Sequence, residues 1–210
     1  MAISTTLIII ALTVWISYEG IKKPYWREGF LFNPYEIAQG KQTWGLFTHS
    51  WFHADYQHLM FNMLSLFMLG SHLESVWTQT YGNSKGTVMY VSLYLVGGLA
   101  ATVIPYFRHR NNAMYRSLGA SGAVSAVVFS AITIQPTLPI MFFFIPFKIP
   151  GWAFGIGFLI LSGSLAKKGG GNIGHNAHFW GSVYGVVFTY LAAKFYANID
   201  LIDNFIRTVL

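Results

Sequence analysis

The chain has 210 residues, 54% of them hydrophobic and 10% charged, with mean hydropathy +0.47 and no cysteine. A soluble domain carries about 25% charged residues, so a water-soluble monomer is excluded. The missing thiol excludes disulfide scaffolds, cysteine-ligated zinc, iron–sulfur clusters and a cysteine nucleophile. The formal charge of +6 does not point to nucleic acid, because the thirteen Lys and Arg sit in short clusters between apolar runs, where membrane-flanking charge belongs.

Charge-free runs cover 1–18, 56–73, 86–107, 117–147, 149–166 and 169–193. About 20 apolar residues cross about 30 Å of hydrocarbon, so these runs read as membrane spans. The first has neither a basic start nor a small-x-small cleavage signature, and it reads as a retained helix, not a secretory signal. Residues 19–56 form the longest connection, with Pro24, Pro34 and the aromatics Tyr25, Trp26, Tyr35, Trp44 and Trp51, a density that suits the headgroup region. In the run 117–147, Pro136 and Pro139 end one helix. Leu138–Phe147 is then too short to cross and reads as an interfacial connection. The expectation is an all-α bundle of six spans near 2–18, 57–76, 87–107, 119–135, 151–166 and 175–194, with a long interfacial loop 1. It is expected to be one domain over 1–210 without internal repeats. Even parity places both ends on one face.

Polar groups inside apolar spans are costly, and the default is that they face the bundle interior and act there. Span 2 holds His58 and Asn62, four apart and so on one helix face. Span 4 holds Ser121 and Ser125. Span 6 holds His178, with His175 just before it. Alternate spans run in the same direction, so all these groups lie within about two turns of one membrane face, at a shared depth of roughly 10 Å or less. Gly119, Ala120 and Gly122 flank Ser121 with little or no side chain, and Gly174, His178, Gly181 and Gly185 share a stripe. Small residues let membrane helices approach closely, which would set Ser121 against His178.

A serine beside a neutral imidazole is the minimum for an activated oxygen nucleophile. His58, the Asn62 amide and the Ser121 N–H at a helix start are donors for an oxyanion. No acidic residue occurs in span 4 or 6, so the set reads as a Ser–His dyad. Plainer roles stand beside these. A membrane serine commonly bonds its own i−4 carbonyl, and an asparagine commonly bonds a neighbouring helix. The coincidence of three spans at one depth is what favours chemistry.

These residues resemble the motifs of the rhomboid family of intramembrane serine proteases. The loop-1-to-span-2 signature corresponds to Thr48-His49, Phe52-His53 and His58-Leu59-Met60-Phe61-Asn62-Met63. The G-x-S-G motif corresponds to Gly119-Ala120-Ser121-Gly122, and A-H-x-x-G-x-x-x-G to Ala177-His178, Gly181 and Gly185. The Pro-rich stretch before span 5 resembles Ile145-Pro146 and Ile149-Pro150-Gly151-Trp152. The resemblance implies Ser121 as nucleophile, His178 as base and then acid, and His58 and Asn62 at the oxyanion. It also implies cleavage of other proteins' transmembrane segments within the lipid bilayer, and neither cofactor nor metal. Two positions depart from the pattern. Trp44-Gly45 stands where many members have Trp-Arg, and Ser125 stands where some have an aromatic ring against the catalytic histidine; its hydroxyl is a candidate partner for His178.

Orientation carries a conflict. Nine basic residues fall on the face holding the amino ends of spans 2, 4 and 6 and four on the other, which by the positive-inside rule would turn the site toward the cytoplasm. The resemblance implies the opposite, a bacterial inner-membrane protein of the minimal six-helix type whose site opens to the extracytoplasmic side, and that is the expectation adopted. His49, Ser50, His53, Asp55 and Gln57 would rim a water-filled cavity closed below by Leu64–Leu69 and Val127–Ile134. Two rival readings are an inactive rhomboid-like protein that binds membrane substrates, and a metal-dependent membrane protein using His49, His53, His58, His175 and His178. The retained Ser121 and His178 weigh against the first. The absence of an in-span carboxylate or an H-E-x-x-H weighs against the second.

Overall fold

The computed structural model describes residues 4–142, 145–168 and 174–210. Residues 2–3 of the expected first span and 143–144 of the expected connection lie outside them. Helix α1 (Thr5–Lys22) is followed by short helices α2 (Pro24–Arg27), α3 (Pro34–Ala38) and α4 (Gly45–Thr48). Then come α5 (Tyr56–Ser65), which passes through a π-helical turn at Leu66–Gly70 into α6 (Ser71–Tyr81), and α7 (Asn83–His109). Helix α8 (Ser121–Ile134) leads to strands β1 (Pro139–Phe142) and β2 (Ile145–Pro150). Helices α9 (Gly151–Lys168), α10 (His175–Ala192), with its own π turn at Ala193–Ala197, and α11 (Leu201–Val209) complete the order.

The all-α expectation needs one correction. The segment read as an interfacial connection pairs as an antiparallel hairpin, Pro139 opposite Pro150 and Ile140 opposite Ile149. Its alternation of Ile and Phe with other residues suits a pleated ribbon, and Pro139 and Pro150 face each other at the ribbon's open end, where a missing N–H costs little. Two described helices, α1 and α7, are long and apolar enough by themselves to cross a membrane, while α8 and the stretch Gly151–Ala166 are shorter apolar helices. The expected start of span 4 at 119 also shifts. Gly119 takes φ +120°, a conformation that stops a helix from extending backward through it, and α8 begins at Ser121.

Close helix contact is built from small residues. A Cβ on Gly181 would collide with the Gly122 carbonyl oxygen, and one on Gly185 with the Ala126 carbonyl oxygen, so α10 lies backbone against backbone on α8. A Cβ on Gly97 of α7 would meet the Ala126 methyl at 2.6 Å. The buried core runs through Leu66, Leu73, Trp77, Tyr90, Leu93, Ala126 and Val127. At the far end from Ser121, the Glu74 carboxylate accepts hydrogen bonds from the Thr5 N–H (2.6 Å), the Thr6 N–H (3.0 Å), the Thr6 hydroxyl (2.7 Å) and the Ser4 hydroxyl (2.7 Å). It thus satisfies two orphan donors at the start of α1.

Residues 23–55 pack on the bundle. Phe52 lies against α1 where Gly20 makes room, its ring 2.6 Å from where a Gly20 Cβ would stand. It forms an aromatic trio with Trp26 and Phe30, each pair of centroids 5.3 Å apart. Phe32 is buried and pairs in both directions with Ser117, N–H to carbonyl at 2.9 and 3.0 Å.

Candidate active site

Ser121, His178, His58 and Asn62 line one cavity of about 700 Å³. Ser121 is the first residue of α8, so its N–H and the next ones point out of the helix without intrahelical partners. His178 is the fourth residue of α10, its N–H bonded to the Gly174 carbonyl at 3.0 Å. No hydrogen bond joins Ser121 to His178 among the described residues. Catalytic pairs are commonly loose without substrate and tighten in the Michaelis complex.

His58 packs its ring where a side chain on Gly119 would be, with Cε1 2.6 Å from that Cβ position. Glycine at 119 is required twice, by the positive φ and by this ring. The Asn62 amide donates to the His58 carbonyl at 3.0 Å, the i−4 bond of its own helix. One of its two hydrogens is thereby committed and the other is left for a ligand.

The backbone leading into Ser121 is gripped by the segment before α5. The Gly119 N–H donates to the His49 carbonyl at 3.0 Å, and the Ala120 N–H donates to His53 Nε2 at 3.3 Å. Because Nε2 accepts, the His53 proton sits on Nδ1. It donates to Ser17 Oγ at 2.8 Å, and Ser17 donates on to the Trp51 carbonyl at 2.8 Å. His49 donates from Nδ1 to the Gly45 carbonyl at 2.9 Å, with the Ser50 hydroxyl 3.3 Å from its Nε2. Burial holds both imidazoles neutral, pushing His49 down to about 4 and His53 down to about 3, the latter helped by neighbouring His58. In the sequence His53 belongs to the signature, to the polar rim and to the rival metal-binding set, with no sign that it holds the backbone before Ser121. Its contact with the residue before Ser121 had no local signal, since the partners are 67 positions apart.

The two departures from the family pattern have structural counterparts. Gly45 is buried, and a Cβ there would run into the Leu31 carbonyl oxygen, so no arginine fits at this position. An arginine grips the same segment from another place: Arg27 Nη1 donates to the His53 carbonyl at 3.0 Å and the Ala54 carbonyl at 3.2 Å. Ser125 is buried on the cavity wall but makes no hydrogen bond to His178 among the described residues, so the proposed hydroxyl partner is corrected. An aromatic ring reaches His178 from α9 instead, Phe158, with centroids 6.0 Å apart and planes at 31°.

The cavity also departs from expectation. Leu64, Ser65, Met68, Leu69 and Val128, expected to include its floor, line it together with Ile140 and Met141 of the hairpin. It therefore extends from the serine down between α5 and β1. No group of three or more His, Asp or Glu suited to a metal occurs among the described residues.

The family model described as Rhomboid domain matches residues 40–195, which include His58, Asn62, Ser121 and His178. The chain belongs to the rhomboid family. It is similar to three proteins of Arabidopsis thaliana. "RHOMBOID-like protein 12, mitochondrial" is 25% identical over 198 residues, covering 86% of this chain and 55% of that protein. "RHOMBOID-like protein 4" is 30% identical over 89 residues, and "RHOMBOID-like protein 1" is 34% identical over 88, each covering 42% of this chain and 20% of the relative. The chain spans from a fifth to just over half the length of these relatives.

Proposed function

We propose that this protein is an intramembrane serine endopeptidase of six membrane-crossing helices that cleaves transmembrane segments of other membrane proteins. The six crossings are α1, the joined α5–α6, α7, α8, α9 and α10, all within a single domain. The observation that carries the reading is that Ser121, His178, His58 and Asn62, from three separate helices, line one cavity.

In the proposed reaction His178 takes the Ser121 proton as Oγ attacks the scissile carbonyl. The oxyanion formed is met by the Ser121 N–H at the start of α8, by the free hydrogen of the Asn62 amide and by His58. His178 then gives the proton to the departing amine, leaving an acyl-serine. Water, deprotonated by the same imidazole, releases the acid and restores the hydroxyl. No step requires a metal or cofactor. The site is proposed to open on the face away from Thr5 and Leu201, as the family resemblance implies. The plant relatives, one named mitochondrial, lend no support to a bacterial inner membrane, so the proposal is confined to a multi-pass membrane protein.

A fluorophosphonate probe should label the wild-type protein in detergent, with or without chelator, and leave Ser121→Ala unlabelled. Wild-type protein should cleave a transmembrane model substrate, and Ser121→Ala and His178→Ala should not. Equal labelling of wild type and Ser121→Ala would assign the nucleophile elsewhere. An unlabelled wild type that still binds the substrate is the outcome expected of an inactive, substrate-binding relative.

A further inference from the structure

Helix α11 has an apolar face that the described residues cover only in part. At about 100° per residue, Leu201, Phe205, Val209, Ile202 and Ile206 fall within one arc of about 140°, and Asp203, Arg207, Asn204 and Thr208 occupy the rest. The helix meets the bundle along the Leu201 side of the apolar arc, where Phe205 and Val209 are half-buried. Leu201 is buried, and the adjacent Asn204 side chain donates to the Ile134 carbonyl, the last of α8, at 3.3 Å. Ile202 and Ile206, farthest from that edge, are 58% and 50% exposed. A helix docked on the bundle through its apolar face would have buried these two. The polar side carries the Asp203–Arg207 ion pair at 2.9 Å, both ends open to solvent. The bundle contact, the exposed isoleucines and the exposed ion pair therefore occupy three different sides of α11.

The chain leading into it shows what the apolar surroundings are. The π turn at the end of α10 exposes Phe195 and Tyr196. Lys85 lies 4.1 Å from the Tyr196 ring and Lys194 lies 5.7 Å from Tyr190, the cation and aromatic pairing of a membrane–water boundary. Asn198 then turns the chain through the left-handed region, and the Asp200 carboxylate caps the new helix by accepting from the Ile202 and Asp203 N–H groups. The 14 residues of α8 reach only about 21 Å of the roughly 30 Å hydrocarbon layer. The end of α8, where Asn204 attaches, thus meets the opposite boundary once Ser121 is sunk by about the remaining third of that layer.

We infer that α11 lies in the plane of the bilayer interface on the face opposite Ser121, with Ile202 and Ile206 among the acyl chains and Asp203 and Arg207 in the aqueous headgroup layer. Its partner is the lipid surface, and its hold on Ile134 fixes the depth of α8. The inference rests on the membrane-spanning reading of the bundle.

The chain has no cysteine, so single cysteines at 202, 203, 206 and 207 can carry nitroxide labels in the full protein reconstituted into phosphatidylcholine–phosphatidylglycerol vesicles. The expected result is a ratio of oxygen to nickel-complex accessibility several-fold higher at 202 and 206 than at 203 and 207. Labels at Leu12 of α1 and Leu95 of α7 serve as controls for the spans. Equal aqueous accessibility at all four α11 positions, with the controls in lipid, overturns the inference alone. Spin–spin broadening at 202 and 206 in place of lipid contact shows that a second copy covers this face, and likewise overturns it. Aqueous access at the controls overturns the membrane reading together with the inference.

Discussion

Ser121 is held from two sides by different physics. On the α10 side the hold is steric: Gly181 and Gly185 admit the carbonyls of Gly122 and Ala126 so closely that a single methyl group has nowhere to go. On the other side it is polar: Gly119 and Ala120 hang from the His49 carbonyl and the His53 ring by directed hydrogen bonds. The steric hold depends on the absence of atoms and is indifferent to pH. The polar hold depends on a tautomer and fails when the proton count changes. The start of α8 is fixed in translation by the first and in orientation by the second.

The largest effect should come from breaking the steric side. Gly181→Val adds a branched side chain where a carbonyl oxygen already stands, and since overpacking a tight contact costs about 1–3 kcal/mol before any backbone collision is counted, we expect loss of both turnover and a cooperative melt in detergent. Retention of normal melting would show that α10 can move away from α8 and that the contact is not a clamp. On the polar side, His53→Ala leaves the Ala120 N–H without its acceptor and removes the donor to Ser17 Oγ, which keeps its bond to the Trp51 carbonyl. Each such loss costs about 1–3 kcal/mol, and thermal denaturation should show a drop of about 3 kcal/mol. Turnover should fall further than stability accounts for, because the residue preceding Ser121 is released.

Acid should separate the two sides more cleanly. The folded state holds His53 down near 3 and His49 near 4, against an ordinary 6.5, so between these limits the unfolded chain binds more protons than the folded one. Stability is then full above about pH 6.5 and declines as pH falls toward 3. His58, with its ring centroid 4.9 Å from that of His53, and Asp55 are the titratable groups facing it. Melting temperatures of the wild type should fall between pH 7 and pH 5, and those of His53→Ala should fall less. An equal decline in both would move the acid sensitivity to another group. The smallest effect is expected at Ser125, which belongs to neither hold. Since Phe158 already supplies the ring beside His178, Ser125→Ala should stay within about 1 kcal/mol of the parent in stability and in transition-state energy, measured by melting and by kcat/KM.

What could be read from the sequence followed its local chemistry. His58 and Asn62 at i, i+4 and the glycines around Ser121 and His178 carry their geometry in their spacing, and His58, Asn62, Ser121 and His178 do line one cavity. The hairpin was hidden because Pro136, Pro139 and Pro150 signal an interruption before the Ile and Phe alternation signals a strand. Phe158, Arg27 and the His53–Ala120 bond were invisible for a different reason: each acts on a residue tens of positions away, and an aromatic in an apolar helix or an arginine in a loop has no distinguishing local pattern. Gly45 reads in the sequence only as a departure from the Trp-Arg of many family members; the Leu31 carbonyl beside it shows why a side chain is barred there.

The carboxylate of Glu74 has a mechanical consequence. It carries its charge without a basic partner among the described residues, its four hydrogen bonds coming from the start of α1 and the hydroxyls beside it, so the first helix itself acts as the counterion. That pairing sets a register. Sliding α1 along α6 by one turn, about 5.4 Å, would carry both N–H groups out of reach and leave the carboxylate without its partners. The two helices are therefore pinned in one register, since a slide of one on the other would break all four bonds at once.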